Sequence, residues 1–204
     1  MASISYEESL VMNSLASTIS SKRVIFLDLD DTLCDTEGIT YKRLEMAKSA
    51  LSSSVNSSKL NNVMEQAIGW DPVPSINGDK GRLQKIKETL ILPDELFNQM
   101  RNIYNEALFN SLELFDGVED TLNWLKLHFS LGMITNGPSK FQRKKINHLG
   151  IAQYFDQIII SGEFGEHKPN PSIFEFAVKS LETTVEQSVH IGDRPDSDID
   201  GAQS

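Results

Sequence analysis

Val24-Ile25-Phe26-Leu27-Asp28-Leu29-Asp30-Asp31-Thr32-Leu33 is the stretch on which the reading of this chain turns. Four apolar residues rich in β-formers run straight into a carboxylate, and a second carboxylate follows two positions later. A short continuous apolar run of this kind predicts a buried strand of a parallel sheet. Open α/β sheets hold their chemistry at the C-terminal ends of such strands. Along extended backbone, alternation sends Asp28 and Asp30 to one side and Leu29 to the other. Two crowded carboxylates repel each other, so either a cation sits between them or one carries a proton.

The 204 residues allow one large domain, or a core domain with a smaller one inserted. A hydrophobic content of 39% suffices for a core, and a charged content of 24% is ordinary. The formal net charge of −10 lacks the basic footprint of a nucleic-acid binder. It leaves room for a protein acting on small anions through local positive charge or a metal. Cys34 is the sole cysteine, which rules out an internal disulfide and fits a reducing compartment. Its bland reading, a small packing residue, is preferred over a reactive thiol. No apolar run approaches membrane-spanning length. The Ser-rich N-terminus carries Glu7 and Glu8 and no Arg before Arg23, unlike a signal or transit peptide. A cytoplasmic protein without membrane partners is expected, as a monomer or a weak homodimer.

Val11, Leu15 and Ile19 have helical spacing, which fits a docked amphipathic helix or a frayed tail. Residues 36–113 show helical periodicity without a convincing strand. Ile39, Leu44, Ala47 and Leu51 mark one helix. Leu60, Val63, Met64, Ala67 and Ile68 mark a second, with Ser57 or Ser58 as N-cap and Gly69 as stop. Leu83, Ile86, Leu90 and Ile91 mark a third, ended by Pro93, and Leu96 to Leu108 a fourth. The turn-rich segment from Trp70 to Gly78 breaks the block in its middle. From Asp116 onward, helix and strand alternate. Val118, Leu122 and Leu125 line a helix, Leu131–Thr135 reads as strand, and a helix through Phe141 and Ile146 stops at Gly150. Ile158–Ile160 is a strand, Pro171 opens a helix behind Asn170, and Val189–Ile191 is the last strand. The predicted architecture is α/β: a Rossmann-like parallel sheet from residues 1–35 and 114–204, with an inserted α-helical domain at 36–113.

Each apolar strand ends in a polar group: Asp28 and Asp30, then Thr135 and Asn136, then Asp193 with Asp198 beyond it. Lys168, in Glu166-His167-Lys168-Pro169-Asn170-Pro171, lies before a helix start. In a parallel sheet these groups converge on one edge. Asp28-Leu29-Asp30-Asp31-Thr32, Thr135-Asn136-Gly137, Lys168 and Gly192-Asp193-Arg194-Pro195-Asp196-Ser197-Asp198 resemble, in order, the four motifs of the haloacid dehalogenase superfamily. The likeness covers nearly all of residues 22–204, the helical insertion less specifically. Any single motif is a weak signal; four in order at the expected strand ends and loop are a strong one.

The resemblance implies roles. Asp28 would be the nucleophile, forming an aspartyl-phosphate. Mg²⁺ would be held by the carboxylates of Asp28 and Asp193 and the backbone carbonyl of Asp30. The Asp30 side chain would serve as acid and base. Thr135, the Asn136 backbone amide and Lys168 would bind phosphoryl oxygens, with Asp198 in support. Each has a plainer rival: a surface lysine, a turn-capping threonine, or Asp198 as the N-cap of a last helix. The four histidines are scattered and receive no ligand role. Trp70, Lys80 and Arg82 could face a substrate from the insertion, although packing or surface roles are the better expectation.

Asp30 together with Asp193 favours phosphate-ester hydrolysis over carbon–halogen cleavage. The insertion resembles the helical cap that favours small substrates, which points to a small phosphomonoester such as a nucleoside monophosphate or sugar phosphate. A 2-haloacid dehalogenase, a phosphomutase and a non-catalytic fragment are the alternatives. Superfamily members usually continue past the fourth motif into one more strand. The sequence here stops at Ser204, which would leave Val189–Ile191 as an exposed sheet edge.

Overall fold

The computed structural model describes residues 22–70 and 81–204. In chain order the elements are β1 (Val24–Leu27), α1 (Thr40–Ser49), α2 (Ser57–Ala67), α3 (Arg82–Leu90) and α4 (Asp94–Phe109). There follow α5 (Val118–Lys126), β2 (Ser130–Thr135), α6 (Ser139–Leu149), β3 (Gln157–Ile160) and α7 (Ser161–Phe164). The last are α8 (Pro171–Ser180), β4 (Ser188–Ile191) and α9 (Asp200–Gln203). The helix expected through Val11, Leu15 and Ile19 lies outside the described residues, as does the turn-rich segment beyond Trp70. Two compact units result. One joins the residues up to Leu33 with Leu114–Ser204; the other is Cys34–Glu113.

The first unit is built on a four-stranded parallel sheet in the order β3-β2-β1-β4. All four residues of β1 are buried, as a central strand flanked on both sides requires. Val24, Phe26, Ile134 and Ile159 pack with Ile173 and Ala177 of α8, while α5 packs against β2 through its buried Leu122 and Leu125. Turn chemistry sets the helix ends. Asn170 caps α8 by accepting from the Ser172 amide at 3.0 Å, with Pro171 in the first turn. Gly150 closes α6 with φ +66°, a conformation costly for other residues. Among the described residues β4 has β1 as its one neighbour, and Ile191 is 42% exposed.

In the helical unit, Leu44, Leu60, Met64, Ile86 and Met100 form a common core. Two local expectations are corrected, and the preferred packing role of Arg82 agrees with its burial. The cap of α2 is Asn56, whose side chain accepts from the Ser58 and Lys59 amides; Ser57 and Ser58 are the first residues inside the helix. α3 ends one residue earlier than its periodicity indicates, because Ile91 turns left-handed at φ +56° and points to solvent. Arg82 is 1% exposed and does not present itself to a substrate. Its guanidinium donates to the carbonyls of Ala67 (2.7 Å) and Ile68 (3.2 Å) at the C-terminal end of α2. It also bonds Tyr104 Oη and Thr40 Oγ1, and pairs with Glu37. A cation there satisfies orphan carbonyls and complements the helix dipole. Trp70 packs against the same core.

Candidate active site

Register places the chemistry. Leu27 lies beside Met133 on β2 and Ile191 on β4, and Thr135 beside Ile160. The residues after these positions therefore emerge along one edge. The Asp28 amide donates to the Ile191 carbonyl at 2.9 Å, fixing the backbone just past β1 against the strand that leads to Asp193.

Lys168 is the hub. It is 3% exposed, and its Nζ donates to Asp28 Oδ1 at 2.7 Å and to Asp198 Oδ1 at 2.5 Å. Asn136 holds the Lys168 backbone from both sides: its Nδ2 donates to the Lys168 carbonyl, and its Oδ1 accepts from the Lys168 amide, each at 2.9 Å. The turn after β2 and the loop before α8 are thereby pinned together. Asp198 is 1% exposed and caps no helix; it sits in a π-type turn, Pro195–Ile199. Its Oδ2 accepts from the Arg194 amide at 3.1 Å. Gly192 makes this approach feasible, since a Cβ at that position would lie 2.2 Å from Asp198 Cγ.

Charge follows from burial and neighbours. Burial pushes the Asp28 carboxyl up to about 7; Lys168 opposes this, while Asp198 and Asp30 add to it. Burial acts in the same direction on Asp198, but hydrogen bonds from His190, Lys168 and the Arg194 amide outweigh it and hold that carboxyl at about 2. Partial burial, with Asp31 and Asp198 nearby, raises Asp193. Carboxylate oxygens of Asp28, Asp193 and Asp198 lie within 4.8 Å of one another. Asp28 and Asp193 offer hard oxygen donors that fit a small divalent cation such as Mg²⁺, while both Asp198 oxygens are engaged by Lys168, His190 and the Arg194 amide. A cation there would offset the burial, and the neighbouring carboxylates, that make Asp28 costly to ionise.

The Asp30 side chain stands apart from this cluster. Its Oδ1 is 2.6 Å from Lys145 Nζ, and its Oδ2 accepts from Gln142 Nε2 at 2.8 Å. The same amide nitrogen reaches Thr135 Oγ1 at 2.6 Å. Thr135 is fully buried at the end of β2.

Sequence reasoning missed Gln142, Lys145 and His190. His190 projects from β4 to hydrogen-bond Asp198 Oδ1 through Nε2 at 2.8 Å. Its burial lowers its basicity, so a neutral ring donating from Nε2 fits. The spacing of Gln142 and Lys145 with buried Ile146 held a faint signal. α6 has too few apolar residues to fill its inward face, so polar residues had to share it.

The haloacid dehalogenase-like hydrolase family model matches residues 24–204. Glyceraldehyde 3-phosphate phosphatase of Methanopyrus kandleri is 40% identical over 100 residues, 48% of this chain and 43% of that one. The enzyme of the same name from Methanothermobacter thermautotrophicus is 30% identical over 189 residues, 88% of this chain and 80% of that one. N-acylneuraminate-9-phosphatase of Mus musculus is 28% identical, over 90% of this chain and 79% of its own. A Bacillus subtilis protein crystallised with bound magnesium superposes with a TM-score of 0.65 at 21% identity, covering 89% of this chain and 82% of that one. With the family match beginning at the first residue of β1 and running on through β4 and the Asp198 turn, the chain belongs to the haloacid dehalogenase-like hydrolases.

Proposed function

We propose that this hydrolase is a Mg²⁺-dependent phosphatase acting on a small phosphomonoester. The observation that carries the reading is the buried Lys168 ammonium shared by Asp28 and Asp198, with Asp193 within reach of both carboxylates. Such a site binds an oxyanion and a cation side by side. Relatives named for removing phosphate from glyceraldehyde 3-phosphate and from an N-acylneuraminate 9-phosphate support the substrate class. Asp30, three residues past β1, together with Asp193 supports phosphoryl over halide chemistry.

In the proposed cycle an Asp28 carboxylate oxygen attacks phosphorus, and the bond from phosphorus to the ester oxygen breaks. Asp30 supplies the proton to the departing alcohol. Lys168 and the Thr135 hydroxyl hold equatorial oxygens as negative charge redistributes, joined by the backbone amide of Asn136. Water then attacks the phosphorus of the aspartyl-phosphate while Asp30 takes its proton, releasing inorganic phosphate and restoring Asp28. The cation would be held by Asp28, Asp193 and the Asp30 carbonyl, supplying charge neutralisation between nucleophile and phosphate. Asp198 would hold Lys168 in place. The helical unit Cys34–Glu113 would act as the cap that selects small substrates.

The test is phosphate release from a panel of sugar phosphates, nucleoside monophosphates and glyceraldehyde 3-phosphate, with Mg²⁺ or with a chelator. A 2-haloacid with halide detection is run alongside. Phosphate release that needs Mg²⁺ and is lost in Asp28→Asn is expected. Halide release without phosphatase activity, or wild-type turnover in Asp28→Asn, would overturn the assignment.

A further inference from the structure

We infer that Gln142 is a positioning residue that aims two working groups at once, the Asp30 carboxylate and the Thr135 hydroxyl. The inference rests on the phosphatase reading and adds to it a residue outside the four motifs. Gln142 is 1% exposed, on the inward face of α6. The turn before it leaves space for it. Gly137 has φ +148°, and a Cβ there would lie 3.0 Å from both Cγ and Cδ of Gln142. Any other residue at that position would press on the amide.

The orientation of that amide follows from its neighbours. Its Nε2 donates to Asp30 Oδ2 at 2.8 Å, and the Lys145 ammonium 2.6 Å from Oδ1 pairs with Asp30 as a carboxylate, the form in which the proposed cycle has it take the proton of water. The NH₂ end therefore faces Asp30; the flipped amide would set oxygen against oxygen. Its second hydrogen goes to Thr135 Oγ1 at 2.6 Å. The Thr135 oxygen thus receives a hydrogen bond from this side, and its own O–H points away from Gln142. A hydroxyl so turned is a ready donor to a phosphoryl oxygen. Lys145, 6% exposed, holds the other Asp30 oxygen at 2.6 Å, so both oxygens of that carboxylate are fixed from α6. In the proposed cycle Gln142 acts through Asp30 and Thr135, the groups it bonds, rather than on the reacting atoms.

A residue that merely packs and one that orients donors respond differently to two near-isosteric changes. Gln142→Met keeps the volume and removes the donor. Gln142→Glu keeps the shape, replaces donors with acceptors, and draws the Thr135 hydroxyl back toward itself. Hydrogen bonds to charged groups are worth enough to change a rate about 10–100-fold. The expected result, measured as kcat/KM with glycerol phosphate and p-nitrophenyl phosphate, is a loss of about 10-fold for Gln142→Met and at least about 100-fold for Gln142→Glu. Melting temperatures are followed in parallel. In the Thr135→Val background the further loss from Gln142→Met should shrink, because one of its two targets is gone; additivity would indicate independent roles. Gln142→Met within about twofold of wild type, or Met and Glu variants equally impaired, overturns the inference while a wild type that is active and abolished by Asp28→Asn keeps the phosphatase reading. A wild type that releases no phosphate from either ester or from any member of the substrate panel overturns both. If Gln142→Glu does not fold, the Gln142→Met and Thr135→Val cycle decides alone.

Discussion

Replacing the proposed nucleophile should make the metal-free protein more stable. Asp28 is 6% exposed, and its carboxyl is pushed from an ordinary 3.8 to about 7, first by burial and then by Asp198 and Asp30, against the pull of Lys168. A carboxyl raised in the folded state costs nothing below the unfolded value, because both states are protonated there. The cost grows as pH rises and is complete above the folded value. Each pKa unit corresponds to about 1.36 kcal/mol, so the ionised Asp28 carries a ceiling of about 4 kcal/mol near pH 8. The carboxamide of the Asp28→Asn variant has no ionisation to resist, while Lys168 keeps Asp198 as partner. For a chain of this size each kcal/mol moves Tm by about 2–4 °C. Thermal melts in a chelating buffer near pH 8 should therefore place Asp28→Asn several degrees above wild type. The gap should close as pH falls to about 4. Magnesium should narrow it from the other side, by binding the folded wild type. An Asp28→Asn protein that melts at or below wild type in chelator near pH 8 would refute this reasoning, and with it the idea that the site is held at a cost in stability.

Two other outcomes follow from the geometry. Arg82→Met in the helical unit strands the Ala67 carbonyl and the Tyr104 hydroxyl that Arg82 now serves, so urea denaturation should show a loss of about 3–5 kcal/mol; a loss under about 1 kcal/mol would refute the structural role given to Arg82. On the surface, Arg143 and then Ser139 hold Glu163 at about 2, below its usual range. This carboxyl is depressed on folding, so its contribution is present above about 4.5 and fades as pH falls through about 2. Since both partners are about a third or more exposed, Glu163→Gln should cost about 0.5 kcal/mol at neutral pH and progressively less in acid. Equal urea midpoints at neutral pH would contradict this.

Periodicity and strand ends make the α/β class readable from the residues alone. An apolar run with two flanking strands has to be buried on both faces, and chain direction alone then fixes which edge carries Asp28, Thr135 and Asp193. The helical insertion is equally legible, because 3.6-residue periodicity is a local property. Caps are less so. Ser57 and Ser58 look as suitable as Asn56, and only the backbone geometry distinguishes the residue before the helix from those inside it. Partnerships across long stretches of sequence are invisible. Gln142 meets Asp30 across 112 positions, and Lys168 meets Asp28 across 140, and no spacing rule links such pairs. The order of residues determined which elements form and which end of the sheet is reactive. The tertiary structure decided which polar side chains share that end, because a buried amide or imidazole takes its partner from whatever packing brings within about 3 Å of it.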